Sequence, residues 1–130
     1  MTPKNFNHFH HIAIIFQIYA IKTDGLLVKE EKFKIQELLN EWVNDSDSTK
    51  NILIESSKFL AEYDKKHSDK ITDLLNYSAN KIIEAGVFSE SNLTSMLSDL
   101  QDIALSDSDE MSENEEMFIS YLAGIWGIEL

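Results

Sequence analysis

The stretch His8-Phe9-His10-His11-Ile12-Ala13-Ile14-Ile15-Phe16-Gln17-Ile18-Tyr19-Ala20-Ile21 decides the fold. One set of its apolar residues recurs at helical spacing, namely Phe9, Ile12, Ala13, Phe16, Tyr19 and Ala20. A second apolar set, Ile14, Ile15, Ile18 and Ile21, lies off that stripe. We therefore predict a helix from about Asn5 to Lys22 that is buried on most of its sides.

The same N-terminal stretch bears on targeting. Its longest apolar run, Ile12 to Phe16, is too short to span a membrane. The basic start, long apolar run and small-residue cleavage site of a secretory signal are missing. We expect a cytoplasmic protein with no direct membrane insertion.

Five further segments have helical patterns and bounding signals. They run from about Lys29 to Asn44, Thr49 to Lys66, Ser68 to Gly86, Ser89 to Leu105, and Ser112 to Gly127. Whether His67 and Ser68 separate two helices or lie within one longer helix stays open at this point. The sequence predicts an all-α protein, a compact orthogonal or irregular bundle of six or seven helices, as one domain over residues 1–130.

Composition and charge exclude several classes of function. The 130 residues include no Cys, which excludes disulfides, thiolate nucleophiles and Cys-type zinc sites. The net charge is −12 and Arg is absent, which argues against nucleic-acid binding. All Lys residues lie within residues 1–81, whereas residues 82–130 hold acids and no Lys. Such an acidic C-terminal third favours cations and basic partner surfaces.

Two segments of the chain resemble each other without a gap. Residues 19–31 align with residues 103–115, so that Ala20 pairs with Ala104, Leu27 with Met111, and Glu31 with Glu115. In each, an apolar helix enters an acidic turn, one apolar residue follows, and a Glu opens the next helix. The sequence therefore predicts two pseudo-symmetric helix-loop-helix units.

The first of these units resembles a known family. Ala20, Asp24-Gly25, Leu26-Leu27-Val28 and Glu31 follow the pattern of TerB-like, tellurite-resistance-type domains. The C-terminal segment from Phe118 to Ile128 is similar to the last helix of that family. The resemblance implies an all-helical fold of two hairpins, a stress-response role and acidic turns that bind divalent metal, and it implies no catalytic activity. The second unit departs from the pattern, because Ser108-Asp109 replaces the Asp-Gly pair.

The acidic turns are the first candidate site. If the two hairpins pack side by side, a divalent cation such as Ca²⁺, Mg²⁺ or Mn²⁺ could be held by carboxylates, those of Asp24, Glu31, Asp107, Asp109 and Glu115. The alternative is that Asp24 holds a turn while Glu31 and Glu115 cap helix starts, with Ser112 and Glu115 forming a capping box. The run beginning at Asp107 does not fit an EF-hand loop, since its twelfth position is Phe118.

Two other groups of side chains are candidate sites. His8, His10 and His11 are of a type that suits transition metals, but no third ligand is evident and no specific role is expected for them. Asp99 and Asp102 could act as a general acid and base, but helix-surface carboxylates are expected to be solvated. No phosphate loop, nucleophile elbow or His-Glu-x-x-His motif is present. We predict no catalytic residues and no organic cofactor.

These observations predict a non-catalytic stress-response module that resembles TerB. It would bind a divalent cation, a protein partner or both through its acidic turns. The alternative is a protein-interaction adaptor without a metal site, whose acidic C-terminal third docks on a basic partner. Self-association is left open.

Overall fold

The computed structural model describes residues 1–24, 28–106 and 109–130, apart from the side chain of Asp24. All regular secondary structure in these residues is helical, so the all-α prediction is confirmed. The helices are α1 (His8–Asp24), α2 (Lys29–Val43), α3 (Ser46–His67), α4 (Ile71–Ala85), α5 (Glu90–Ala104) and α6 (Glu113–Trp126). One 3₁₀ turn, Ser68–Lys70, joins α3 directly to α4, so the chain forms two helices here and not one longer helix.

Helix α1 lies at the centre of the molecule. Every residue from His10 to Ala20 is buried, including Ile14 and Ile15, which lie off the predicted apolar stripe. Helices α2, α3, α4, α5 and α6 all pack against α1. The prediction of a helix buried on most sides is confirmed, because an apolar surface on every side can be covered only by neighbours on every side.

Polar side chains on α1 are satisfied by the helices around it. The Gln17 amide nitrogen donates to the Ala13 carbonyl oxygen at 3.2 Å and to Ser56 Oγ at 3.0 Å. Its carbonyl oxygen accepts from Ser57 Oγ at 2.7 Å. A buried amide without partners would be costly, so these bonds fix α1 against α3.

Local signals set the helix ends. Asn44, Gly86 and Gly127 adopt left-handed conformations, with φ of 60°, 69° and 68°, after α2, α4 and α6. The predicted stops at Gly86 and Gly127 are therefore confirmed, and glycine suits them because it lacks the Cβ that opposes positive φ. At the start of α3, Asp45 Oδ2 accepts from the Ser48 backbone N–H at 2.9 Å.

The predicted pseudo-symmetry stays a prediction. Gly25, Leu26 and Leu27 in the first unit, and Asp107 and Ser108 in the second, lie outside the described residues. In the part of the chain that the structure does describe, no helix has the length and apolar character needed to cross a membrane.

The central position of α1 can be tested by shortening a side chain off the predicted stripe. Ile14 is 0% exposed, so Ile14→Ala is expected to lower the free energy of unfolding by about 2 to 5 kcal/mol through lost burial and a cavity. Ile21, on the same helix, is 36% exposed, and Ile21→Ala is expected to cost about 1 kcal/mol or less. Denaturant unfolding measures both values, and equal losses would contradict the central position.

Candidate functional site

The two glutamates of the predicted cation site cap helix starts. Glu31 Oε1 accepts from the Val28 backbone N–H at 3.2 Å at the start of α2. Glu115 Oε1 accepts from the Ser112 N–H at 2.7 Å, while Ser112 Oγ accepts from the Glu115 N–H at 3.1 Å. The capping box predicted at Ser112 is thus confirmed. Both glutamates are buried, so each carboxylate performs the capping role that the sequence offered as the alternative to metal binding.

The structure describes the other three predicted ligands only in part. Asp109 is exposed, while Asp107 and the side chain of Asp24 lie outside the described residues. Across the described side chains, no group of three or more His, Asp or Glu residues is arranged to hold a metal ion. The five-residue cation site therefore stays a prediction.

The histidines of the N-terminal segment make separate contacts. The Asn7 backbone N–H donates to His10 Nδ1 at 3.1 Å, and His10 Nε2 lies 3.2 Å from Glu55 Oε1. His11 Nδ1 lies 3.2 Å from Ser78 Oγ, a residue of α4. His8 packs edge-on against Phe88. His10 therefore serves the start of α1, and His11 joins α1 to α4.

Burial lowers the pKa of two of these rings. Desolvation, followed by the charges of His10, Lys81 and His8, lowers the pKa of His11 to about 4. Desolvation also lowers the pKa of His8. A neutral His11 is the form that fits its buried position between α1 and α4.

The side chain of Asp99 is buried, although the sequence predicts that it is solvated. The prediction that Asp99 and Asp102 are both solvated is correct for Asp102, which is exposed, and wrong for Asp99, which is 9% exposed. Asp99 Oδ2 accepts from Trp42 Nε1 at 2.7 Å. Burial raises the pKa of Asp99 to about 6, against the lowering effect of the Trp42 hydrogen bond.

A signal for this burial was present in the sequence. Asp99 lies three residues after Met96 and four before Ile103, both of which are apolar residues on the inner face of α5. Helical spacing therefore places Asp99 on that face. Its carboxyl group joins α5 to Trp42 of α2, and with Glu41, Ser95 and Ser98 it lines a shallow cleft.

A cleft lies beside the C-terminal half of α1, and the sequence did not predict it. We name it the α1 cleft; its volume is about 690 Å³. Four helices contribute its lining residues, which are Gln17, Ile18, Ile21, Lys22, Lys32, Ser57, Leu60, Ala61, Asp64 and Ile71. A second opening, of about 460 Å³ and lined partly by α6, shares Ile18, Lys22 and Ile71 with it.

No family model, curated protein or solved structure matches this chain. The resemblance to TerB-like domains therefore stays a prediction based on the quoted residues.

The buried Asp99 predicts a dependence of stability on pH. Its pKa is about 6 in the folded protein and 3.8 for an unperturbed carboxyl, so between these values the folded state keeps a proton that the unfolded chain has lost. The stability that Asp99 contributes is present below pH 3.8 and lost as the pH rises through about 6. Asp99→Asn, whose amide oxygen still accepts from Trp42, is expected to unfold at higher denaturant concentration than the unmodified protein at pH 7.

The control for this prediction is Asp102→Asn, which removes the same charge from an exposed position of the same helix. Denaturant midpoints measured from pH 4 to pH 8 should show the gap between Asp99→Asn and the unmodified protein widening up to about pH 6 and then staying constant. A gap that is the same at every pH, or that Asp102→Asn reproduces, would contradict the assignment.

Proposed function

We propose that the protein is a non-catalytic binding module that docks a basic partner on the acidic surface of its C-terminal third. The observation that supports this most is that eight of the described acids there are exposed while no Lys lies among residues 82–130. This acidic surface consists of Glu84, Glu90, Asp102, Asp109, Glu110, Glu113, Glu116 and Glu129, of which Glu84 pairs with Lys81 at 3.2 Å.

The acids of this third fall into two groups with different roles. Glu115 and Asp99 are buried and serve the fold, one as a helix cap and the other as a partner of Trp42. The exposed acids are solvated, and Glu90, Asp102, Asp109, Glu113 and Glu116 form no ion pair with any described residue. A basic surface that approaches them therefore gains Coulomb attraction without first breaking an existing ion pair.

Like-signed surface charge affects mainly the rate and selectivity of association. A patch of carboxylates accelerates encounter with a positive surface and disfavours acidic partners. Because these side chains are exposed, the attraction is screened at high ionic strength. A partner held in this way would be released by salt.

Cation binding at the acidic turns is the second candidate. It rests on the resemblance to TerB-like stress-response domains, while Oε1 of Glu31 and of Glu115 already accepts a backbone N–H at a helix start. The proposed ligands are Asp24, Glu31, Asp107, Asp109 and Glu115, and the proposed ions are Ca²⁺, Mg²⁺ and Mn²⁺.

Binding of a lysine-rich peptide tests the partner proposal. A variant with Glu90→Gln, Asp102→Asn, Glu113→Gln and Glu116→Gln is expected to bind the peptide with a Kd about fivefold higher, and with a weaker dependence on salt, because the attracting charges are gone. Isothermal titration at several salt concentrations measures both quantities.

The matched control neutralises four exposed acids from the first 81 residues, with Glu30→Gln, Glu41→Gln, Asp47→Asn and Glu62→Gln. Both variants lose the same charge, so a difference between them reports position. If both variants bind the peptide equally weakly, net charge alone explains the loss of affinity. That result would contradict a docking surface in the C-terminal third.

Thermal melting in millimolar Ca²⁺, Mg²⁺ or Mn²⁺ tests the cation candidate. An ion that binds only the folded state raises Tm through linkage, and the rise should shrink in Asp24→Asn and in Asp109→Asn. Asp47→Asn, an exposed acid of α3, is the control and should keep the full rise. A Tm that none of the ions changes would contradict cation binding and would not affect the partner proposal.

A further inference from the structure

The carboxyl group of Asp99 has one oxygen that no described residue uses. Asp99 is 9% exposed, and its Oδ2 accepts from Trp42 Nε1 at 2.7 Å. No described group donates to Oδ1, which is not fully shielded from solvent. Because Asp99 lines a shallow cleft, Oδ1 faces that cleft. A carboxylate oxygen that is this far removed from water is stabilised by a hydrogen-bond donor, above all by one that carries positive charge.

We name this opening the Asp99 cleft; its volume is about 370 Å³, and its lining residues are Glu41, Trp42, Ser95, Ser98 and Asp99. Trp42 is partly exposed here, while Glu41, Ser95 and Ser98 are exposed. All the lining residues lie within helices α2 and α5, so the cleft does not depend on the connections outside the described residues. The volume lies near the lower end of the range for small-molecule sites, which suits a single long side chain.

One face of α5 forms a wall of this cleft. Its polar residues follow the spacing i, i+3, i+4 and i+7, which places them along one side of the helix; they are Ser95, Ser98, Asp99 and Asp102. The serine hydroxyl oxygens can accept hydrogen bonds beside Asp99 Oδ1. Since Asp102 also belongs to the acidic surface of the C-terminal third, the cleft is continuous with that surface.

The charged groups around Asp99 are mainly negative. Burial raises the pKa of Asp99 most, and repulsion by Glu41 and Asp102 raises it further. Lys34 acts in the opposite direction, but its Nζ is paired with Glu37 Oε1 at 3.3 Å. Glu41 forms no ion pair with a described residue. A cation that enters the cleft therefore relieves repulsion among carboxylates.

We propose that the Asp99 cleft receives a lysine side chain of the basic partner, an inference that rests on the proposed docking surface. The ammonium group donates to Asp99 Oδ1 and to the hydroxyl oxygens of Ser95 and Ser98, while the methylene stem packs against the Trp42 ring. Lysine fits because its charge is compact and carries three donors. An arginine would need both carboxylate oxygens for bidentate binding, and Trp42 already uses Oδ2.

The two tryptophans give a direct readout of this contact. A peptide of alternating lysine and glycine is titrated into the full-length protein, and ¹H–¹⁵N spectra record the indole N–H signals. The Trp42 signal is expected to shift, because its Nε1–H donates to the carboxyl group that the lysine binds. The Trp126 signal should stay in place, since its Nε1–H donates to the Ala79 carbonyl oxygen at 3.1 Å. The spectrum of Trp42→Phe assigns the two signals.

Asp99→Asn removes the charge and keeps an acceptor for Trp42. Isothermal titration is expected to give a Kd for the peptide about tenfold higher in this variant. Glu116→Gln, which removes a charge from an exposed position of α6, is the matched control and should raise the Kd about twofold or less. The same peptide with trimethylated lysines keeps its charge but has no N–H donors. It should bind more weakly than the lysine peptide to the unmodified protein and equally well to Asp99→Asn.

Protons compete with the lysine for Asp99. With a pKa of about 6, this carboxyl group is mainly ionised at pH 7 and mainly protonated at pH 5. The affinity for the lysine peptide should therefore fall several-fold as the pH drops from 7 to 5. Asp99→Asn should lose most of this pH dependence, which separates Asp99 from the histidines that titrate in the same range.

The possible failures are distinguishable. Peptide binding that leaves the Trp42 signal in place, or that Asp99→Asn weakens no more than Glu116→Gln does, would overturn the lysine contact and leave the docking surface intact. Equal or tighter binding of the trimethylated peptide to the unmodified protein would do the same, because donated hydrogen bonds would then contribute nothing. If the lysine peptide does not bind the unmodified protein at all, the docking surface and the lysine contact are both contradicted.

Discussion

The structure depends on one constraint, which is that α1 is buried on every side over residues 10–20. A helix in that position gains burial from all its neighbours, but each polar side chain on it must find a partner inside the protein. Gln17 does so through Ser56 and Ser57, and His11 does so through Ser78. These bonds fix α1 relative to α3 and α4.

The acidic side chains of this protein have different roles when they are buried and when they are exposed. Acids that are buried, such as Glu31 and Glu115, each accept a backbone N–H and stabilise a helix start. Asp99 instead accepts from Trp42, and its burial raises its pKa to about 6. The other described acids of residues 82–130 are exposed and give the C-terminal third its negative surface. A carboxylate in this chain therefore has a structural or a surface role according to its burial.

Part of the candidate site could be predicted from local sequence. The capping box of Ser112 and Glu115 spans four consecutive positions, so its residues identify it without knowledge of the fold. Asp99 was expected to be solvated because carboxylates usually are, although its spacing from Met96 and Ile103 indicated the inner face of α5. The α1 cleft could not be predicted, because its lining comes from four helices and depends on the angles at which they meet.

The sequence by itself determined the helical class, the helix ends at Gly86 and Gly127, and the burial of α1, because these follow from spacings of three or four residues and from single backbone conformations. Only the tertiary structure decided which helices cover α1, which carboxyl group meets Trp42, and where the cleft with Lys22 and Lys32 opens. His11 and Ser78 are 67 residues apart, and Trp42 and Asp99 are 57 apart. Contacts over such separations are set by the packing of whole helices, about which the local pattern of residues carries no information.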